Sequence, residues 1–283
     1  MKLGCDTAIF HHLDIDGALK YIAWAGYEGA SICYQAQWVR HLELNTNQSY
    51  IDEVKAIARK HGLKLSAIGC GFGPGFQELD YKDKIKILTK VLDVAVKLGI
   101  PIITIRPFGK PDDKETTKQE FDYIRELSKR AESRGMILAV KAHIQASIYD
   151  TKTLIQMLDE IDSPALGVNL DPIQQYKGGD DIADSVLKLG KRIVHTHFHD
   201  SLKALRFLNL PVTKVKAEDE IPGRGDVDCP KILRRLKEVG YDGAIDFQTV
   251  TARNYPLWRK VGIAAEARGY LNRCLQELKV DNS

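Results

Sequence analysis

Polar side chains with the chemistry of a catalytic site end or follow the last four apolar runs of the chain. The first of these runs ends at Lys141, the second is followed by Asp171, the third contains His197 and the fourth ends at Gln248. An ammonium can polarise a carbonyl oxygen, a carboxylate can pair with that ammonium, and an imidazole can move a proton near neutral pH. We therefore take these four positions as the candidate catalytic residues.

The third of these runs shows how such residues are arranged. Side chains of a β-strand alternate between two faces, so His195, His197 and His199 share one face and Val194 and Phe198 the other. The three neighbouring runs separate apolar from titratable residues in the same way. An unsatisfied buried polar group costs about 1–3 kcal/mol, so titratable groups gathered on one inner face predict an active site.

Short β-branched runs alternate with amphipathic stretches along the chain, which is typical of repeated βα units and a parallel sheet. Several amphipathic stretches end in glycine before the next run, as helices commonly do. A doubly wound open sheet is the main alternative, but the first run is followed by no glycine-rich phosphate turn. We predict a single (β/α)₈ TIM barrel spanning residues 1–283. The strand candidates are Leu3–Ala8, Gly29–Cys33, Lys64–Cys70, Ile102–Arg106, Ile137–Lys141, Leu166–Leu170, Ile193–Phe198 and Ala244–Gln248.

Composition narrows the classes of partner. The chain has 283 residues, 44% of them hydrophobic, and 41 Lys+Arg against 38 Asp+Glu, which gives a formal net charge of +3. This balance argues against disorder and gives no reason to expect a nucleic-acid or membrane partner. The N-terminus shows no secretory signal, and the 5 cysteines include no CxxC pair. We expect a cytoplasmic protein, and a homo-oligomer remains open.

The longest irregular stretch, residues 201–227, follows the seventh run and contains Pro211 and Pro222. A loop of this length in a compact domain is more often a functional lid than a passive connector. Near its end, Arg224 offers a planar guanidinium that could bind paired hydroxyls, a carboxylate or a phosphate, or form a salt bridge that ties the lid down. Asp228 before Cys229-Pro230 predicts a helix N-cap with proline in the first turn.

The chain resembles the xylose isomerase-like TIM-barrel superfamily of sugar isomerases and epimerases, which includes tagatose 3-epimerase-like enzymes and inosose dehydratases. The resemblance covers nearly the whole chain. It implies a TIM-barrel fold and the activity of an isomerase, an epimerase or a lyase such as a dehydratase. Its most specific segments are Gly26-Tyr27-Glu28-Gly29, Leu98-Gly99, Gly167-Val168-Asn169-Leu170-Asp171-Pro172, His195-Thr196-His197-Phe198-His199-Asp200, Pro222-Gly223-Arg224-Gly225-Asp226-Val227-Asp228 and Gly240-Tyr241-Asp242-Gly243.

Epimerases of that family hold a divalent metal with two glutamates, an aspartate and a histidine, and the glutamates also move the proton. The resemblance assigns the aspartate to Asp171 and the histidine to His197. It places Lys141 and Gln248 where the family has glutamates, and Gln174 where a further histidine is usual. An ammonium repels a cation and an amide has no useful basicity, so we expect the usual metal site and proton shuttle to be lost or rebuilt.

Three interpretations follow. In the first, Lys141 pairs with Asp171 and replaces the metal as the electrophile, or forms a Schiff base with a keto-sugar, and no cofactor is required. A histidine then moves the proton, and the candidates are His197, His199 and His143. In the second, a divalent transition metal binds in a rearranged site through Asp171, His197 and neighbouring histidines, a donor set that suits zinc, nickel or iron. In the third, the chain is a catalytically inactive carbohydrate-binding or partner subunit.

The first two interpretations describe an enzyme that acts on a carbohydrate-derived keto compound, such as a sugar or polyol derivative. An endonuclease function is disfavoured because Lys141 and Gln248 remove carboxylates that zinc clusters need. Arg106 ends the fourth run beside Lys141 in barrel order, so it is expected either to contact the substrate or to neutralise Asp171. The residues predicted to bind substrate are His143, His199, Arg106, Arg224 and Gln174.

Overall fold

Eight parallel strands close into a barrel in the computed structural model, which describes residues 1–35, 39–70, 74–203, 210 and 214–280. The sheet order is β1-β9-β8-β7-β6-β5-β4-β2, and pairing of β1 with β2 closes it. The short β3 runs antiparallel beside β2. The strands are β1 Lys2–Asp6, β2 Gly29–Gln35, β3 Val39–Arg40, β4 Lys64–Cys70, β5 Ile102–Ile105, β6 Ile137–Val140, β7 Leu166–Leu170, β8 Ile193–Phe198 and β9 Ala244–Phe247. The predicted (β/α)₈ barrel is confirmed, and the open-sheet alternative is wrong.

Helices connect the strands and surround the barrel. They are α1 Ile15–Trp24, α2 Gln48–Lys60, α3 Pro74–Gln77, α4 Tyr81–Leu98, α5 Lys114–Glu132, α6 Thr151–Ile161, α7 Pro172–Gly178, α8 Ile182–Leu189, α9 Cys229–Glu238 and α10 Leu257–Val280. Gly99 ends α4 with a φ of 76°, the left-handed cap that the sequence predicts. Asp228 caps α9 by accepting from the backbone N–H of Lys231, as predicted. No helix in the described ranges has the length and apolar character of a membrane span.

Alternation along the strands builds the core as expected. Leu138 and Val140 of β6, and Val168 and Leu170 of β7, are fully buried under the helices. Five predicted strand ends were wrong. β1 stops at Asp6, where a 3₁₀ turn begins, and β2 continues to Gln35. β5, β6 and β9 each stop one residue before the predicted ends Arg106, Lys141 and Gln248. The titratable residues therefore stand at or just beyond the carboxyl ends of the strands, where barrel enzymes place their chemistry.

Asp200 anchors the end of the long loop after β8. Its carboxylate accepts hydrogen bonds from the backbone N–H groups of Ser201, Gly223, Gly225 and Val227, at 2.7, 2.8, 3.0 and 3.0 Å. A Cβ on Gly225 would lie 2.2 Å from an Asp200 oxygen, so only glycine fits this close approach. Residues 222–227 are thus fixed to the barrel. Pro211 lies outside the described residues, and the lid function remains a prediction.

Candidate active site

Lys141 lies directly after β6, and its Nζ is at the centre of the candidate site. Nζ is 2.9 Å from Asp171 Oδ2, 2.8 Å from Gln248 Oε1 and 3.5 Å from His197 Nδ1. All four side chains are buried. The structure therefore brings the four candidate catalytic residues together, three of them around one ammonium group.

Asp171 caps α7 and joins two other polar side chains. Its Oδ1 accepts from His199 Nε2 at 2.9 Å and from the backbone N–H of Gln174 at 3.1 Å, while Oδ2 pairs with Lys141. Burial alone would raise the pKa of Asp171, but Lys141 and then His199 outweigh it and hold that pKa well below its ordinary value of 3.8. Asp171 is therefore a carboxylate at neutral pH.

The hydrogen bond to Asp171 also fixes the tautomer of His199. A carboxylate only accepts, so Nε2 of His199 must carry the hydrogen, and Nδ1 of the neutral ring keeps its lone pair. This Nδ1 is buried, and no described residue offers it a hydrogen bond. The hydrogen bond thus fixes the orientation of the His199 ring next to the Lys141–Asp171 pair.

His197 has the opposite orientation. Its Nδ1 faces two donors, the Lys141 ammonium at 3.5 Å and the Asn169 side-chain amide at 3.1 Å, so Nδ1 accepts and Nε2 carries the hydrogen. Burial, followed by the charge of Lys141, lowers the pKa of His197 well below 6.5. His197 is a neutral acceptor that holds Lys141 from one side.

Asp6 lies beneath His197 and was not among the residues selected from the sequence. Its Oδ2 accepts from Ser31 Oγ at 3.1 Å and lies 3.8 Å from His197 Nε2, and its Oδ1 accepts from the backbone N–H of Ala8 at 2.8 Å. Burial is the largest cause that raises the pKa of Asp6 to about 6. Its place at the end of β1 was the available signal, but one carboxylate after a strand is a common pattern.

Asp246 of β9 occupies a deeper layer of the barrel. Its Oδ2 accepts from Ser66 Oγ at 2.6 Å and lies 3.4 Å from His195 Nε2. A Cβ on Gly4 would lie 1.9 Å from Asp246 Oδ1, so glycine in β1 makes room for this carboxylate. Burial raises the pKa of Asp246 to about 6, and burial and Lys141 lower the pKa of His195 to about 3. These groups fill the barrel floor below the pocket.

Three of the predicted substrate-binding residues lie beside this cluster. Arg106 Nη2 donates to His143 Nδ1 at 3.2 Å, and burial, Arg106 and Lys141 in that order lower the pKa of His143 to about 3. The Gln174 Oε1 atom is buried without a described hydrogen-bond partner. A polar substrate group could satisfy it, because buried polar atoms normally bond.

Arg224 does not join the cluster. Its guanidinium forms a two-pronged ion pair with Glu266 of α10, with Nη2 2.8 Å from Oε2, and 48% of its side chain is exposed. The geometry matches the salt-bridge alternative for Arg224, which fastens the end of the loop to α10.

The donor set does not fit the divalent cation that the resemblance implies. Lys141 Nζ occupies the space between Asp171, Gln248 and His197 where a cation would have to sit, and it carries the same sign of charge. Among the described residues, no group of at least 3 His, Cys, Asp or Glu side chains is arranged to hold a metal ion. Asp171 and His197 thus lack the further ligands that a rearranged site would require.

Comparison with known proteins places the chain in a family. The model of the xylose isomerase-like TIM-barrel family matches residues 19–274, so the chain belongs to this family. Inosose isomerase of Halalkalibacterium halodurans is 23% identical over 84% of this chain and 84% of its own length. Inosose isomerase of Bacillus subtilis is 25% identical, and the match spans 59% of this chain and 58% of that protein. The crystal structure of a D-tagatose 3-epimerase-like protein superposes over 100% of both chains with a TM-score of 0.78 at 18% identity, which shows the shared fold.

Proposed function

We propose that this member of the xylose isomerase-like TIM-barrel family binds a carbohydrate-derived keto compound and moves a proton at the carbon next to its carbonyl, as an isomerase, epimerase or lyase does. The named inosose isomerases and the tagatose epimerase-like structure support this reaction class. The observation that carries the proposal is the single carboxylate of Asp171, which joins the ammonium of Lys141 to the imidazole of His199. One group is an electrophile and the other is a base.

Lys141 is the proposed electrophile. The ion pair with Asp171 and the hydrogen bond to Gln248 fix the position of its ammonium, while the contact to His197 at 3.5 Å is long for a hydrogen bond. A substrate carbonyl can replace this long contact and accept the N–H. Negative charge that develops on the carbonyl oxygen as the proton leaves carbon is then stabilised by a preformed cation in a buried site.

His199 is the proposed base. Its Nδ1 lone pair accepts the proton from carbon, and the Asp171 carboxylate stabilises the imidazolium that forms. Delivery of a proton to the opposite face of the same carbon gives an epimer. Return of the proton to the former carbonyl carbon, while a hydroxyl proton passes between the two oxygens, gives an isomer. Departure of a β-hydroxyl as water, with the proton from His199, gives a lyase product. The Lys141–Asp171–His199 arrangement supports the common first step of all three outcomes.

The test is deuterium exchange, because it detects that first step without knowledge of the product. The protein is incubated in D₂O with ketoses, keto-inositols and keto acids, and loss of the proton next to each carbonyl is followed by NMR. We expect exchange with at least one compound, and at least about a hundredfold slower exchange for Lys141→Met and His199→Gln. Lys152→Met, which removes an exposed lysine of α6, is the matched control. Exchange that survives both site variants would refute the assignment.

A Schiff base at Lys141 predicts a different result from the same compounds. Borohydride would then link the substrate covalently to Lys141, and mass spectrometry would locate the added mass. Nζ of Lys141 lies 2.9 Å from Asp171 and donates to Gln248, so it is already engaged and poorly placed to attack a carbonyl carbon, and we expect no adduct. Binding of a compound without exchange or adduct would favour the carbohydrate-binding alternative.

A further inference from the structure

Two segments at the carboxyl end of the barrel carry basic residues that the proposed reaction does not use. His11 and His12 follow β1, and Arg253 and Lys260 follow β9, the latter in the first turns of α10. Since β1 and β9 are parallel neighbours, both segments lie on the face of the barrel that holds Lys141. We call these four residues the basic rim.

Lys260 is the buried residue of the basic rim. Its Nζ donates to His12 Nδ1 at 3.0 Å and to the Arg253 carbonyl at 3.2 Å, and only 1% of the residue is exposed. Within the described part of the chain, Lys260 forms no ion pair with a carboxylate. Burial lowers the pKa of Lys260 to about 8, so it is still mostly charged at pH 7.

The bond from Lys260 determines what His12 presents to solvent. Because an ammonium only donates, His12 Nδ1 accepts and the hydrogen resides on Nε2, on an exposed ring. His12 therefore offers an N–H donor that is polarised from behind by a buried positive charge. The N-terminus of α10 adds a positive dipole end at the same place.

The histidines around Lys260 are held in the neutral form, because the nearby positive charge and their burial disfavour protonation. Burial and then the charges of Lys260, His12 and Arg253 lower the pKa of His11 to about 4. Burial and Lys260 lower the pKa of His12. Burial also lowers the pKa of His41 to about 4, and the charge of His41 is among those that lower the pKa of His11. His11 and His41 are therefore neutral at pH 7, and the buried positive charge next to His12 is that of Lys260.

We infer that the His12–Lys260 pair, with His11 and Arg253 beside it, is a subsite for an anionic group of the substrate, either a carboxylate or a phosphate monoester. This inference rests on the proposed function for its place in a reaction, because the pair follows β1 and β9 on the face of the barrel that also carries Lys141. It narrows the substrate to an acidic derivative of a keto-sugar or polyol. The anion accepts the N–H of His12 and is attracted by Lys260 and by the start of α10.

The test measures anion binding directly, without turnover. Histidine-labelled protein is titrated with inorganic phosphate, methyl phosphate or acetate at constant ionic strength, and the ring signals of His12, assigned with His12→Gln, are followed by NMR. We expect saturable shifts and a raised pKa of His12 on binding. Lys260→Met should weaken binding by about tenfold or more, whereas Lys260→Arg should retain it. Lys152→Met is again the control for an exposed lysine.

The results distinguish a phosphate ligand from a carboxylate ligand. They also distinguish failure of the anion subsite from failure of the proposed function. Tighter binding of methyl phosphate than of acetate assigns a phosphate monoester, and the reverse assigns a carboxylate. Shifts that do not saturate, or binding unchanged in Lys260→Met, would overturn the subsite. If this occurs while a neutral ketose still shows Lys141-dependent exchange, the subsite falls and the proposed function stands.

Discussion

Removal of Lys141 tests the electrostatic centre of the site. In Lys141→Met the Asp171 carboxylate, whose side chain is 0% exposed, loses an ammonium 2.9 Å away. Loss of one partner from a buried ion pair typically costs about 3–5 kcal/mol, because a charge is left buried and uncompensated. Asp171 keeps the hydrogen bonds from His199 and from the Gln174 backbone, so we expect the lower end, about 3 kcal/mol.

Urea unfolding followed by circular dichroism measures this cost at pH 7 and at pH 5. In the wild type the pKa of Asp171 is lowered on folding, so its contribution to stability is present above its unfolded pKa and disappears as the pH falls through its folded pKa. In Lys141→Met the burial that opposes ionisation remains, and the pKa of Asp171 rises. The deficit relative to wild type should therefore be largest at pH 7 and shrink as the carboxyl takes up a proton towards pH 5.

A double-mutant cycle isolates the pair. Lys141→Met with Asp171→Asn should lose less stability than the two single variants together, with a coupling of about 2 kcal/mol. Lys152→Met should lie within about 0.5 kcal/mol of wild type. A Lys141→Met protein as stable as wild type at both pH values, or a coupling near zero, would show that Lys141 does not pair with Asp171 in the barrel.

Three more predictions concern charge in and around the barrel. Lys141→Glu with Gln248→Glu restores the carboxylates of the family's metal site. Mn²⁺ or Zn²⁺ should therefore raise the melting temperature of this double variant but not that of the wild type. The same response to metal in both proteins would argue against Lys141 as the charge that excludes a metal ion. Asp246 has a folded pKa raised to about 6, so the stability it gives at low pH is lost as the pH rises from its unfolded value of about 3.9 to about 6, and Asp246→Asn should flatten this decline. Urea midpoints from about pH 4 to about pH 7 measure it, and an unchanged slope contradicts it. Asp200→Asn places an amide NH₂ against backbone N–H donors and should lower the free energy of unfolding in urea by about 2 kcal/mol or more. The control is Asp228→Asn, at a helix N-cap where Asn is equally suitable, which should lower that free energy little. Equal losses for the two variants would show that the hydrogen bonds of Asp200 to the loop are unimportant.

The barrel could be predicted because its signals are local. Each strand is a short β-branched run with one apolar face, and glycine caps such as Gly99 end the helices between them. Strand ends were less certain. Asp6 ends β1 because its side chain caps the following 3₁₀ turn, and a turn of that kind has no periodic pattern to reveal it.

The site could be predicted only in part. Alternation and barrel order were sufficient to bring Lys141, Asp171, His197 and Gln248 to one end of the barrel, because side-chain direction follows from strand parity. The contacts beyond that depend on side-chain rotamers. Arg224 pairs with Glu266, 42 residues away in sequence, and Lys260 bonds to His12, 248 residues away, and no local pattern predicts either.

An ammonium in place of a metal changes what the pocket can recognise. A divalent cation can chelate two substrate oxygens and so orient a neutral sugar by itself. Lys141 carries one charge, and its ammonium is already paired with Asp171 and hydrogen-bonded to Gln248. The Lys141 ammonium can polarise a carbonyl, but it contributes little to the orientation of the rest of the substrate. Orientation must then come from elsewhere in the pocket, and the Lys260–His12 pair on the rim has the charge to supply it. The two proposals are therefore linked: with Lys141 as the electrophile the substrate needs a second anchor, and the inferred subsite at Lys260 and His12 would supply one for a substrate with an anionic group.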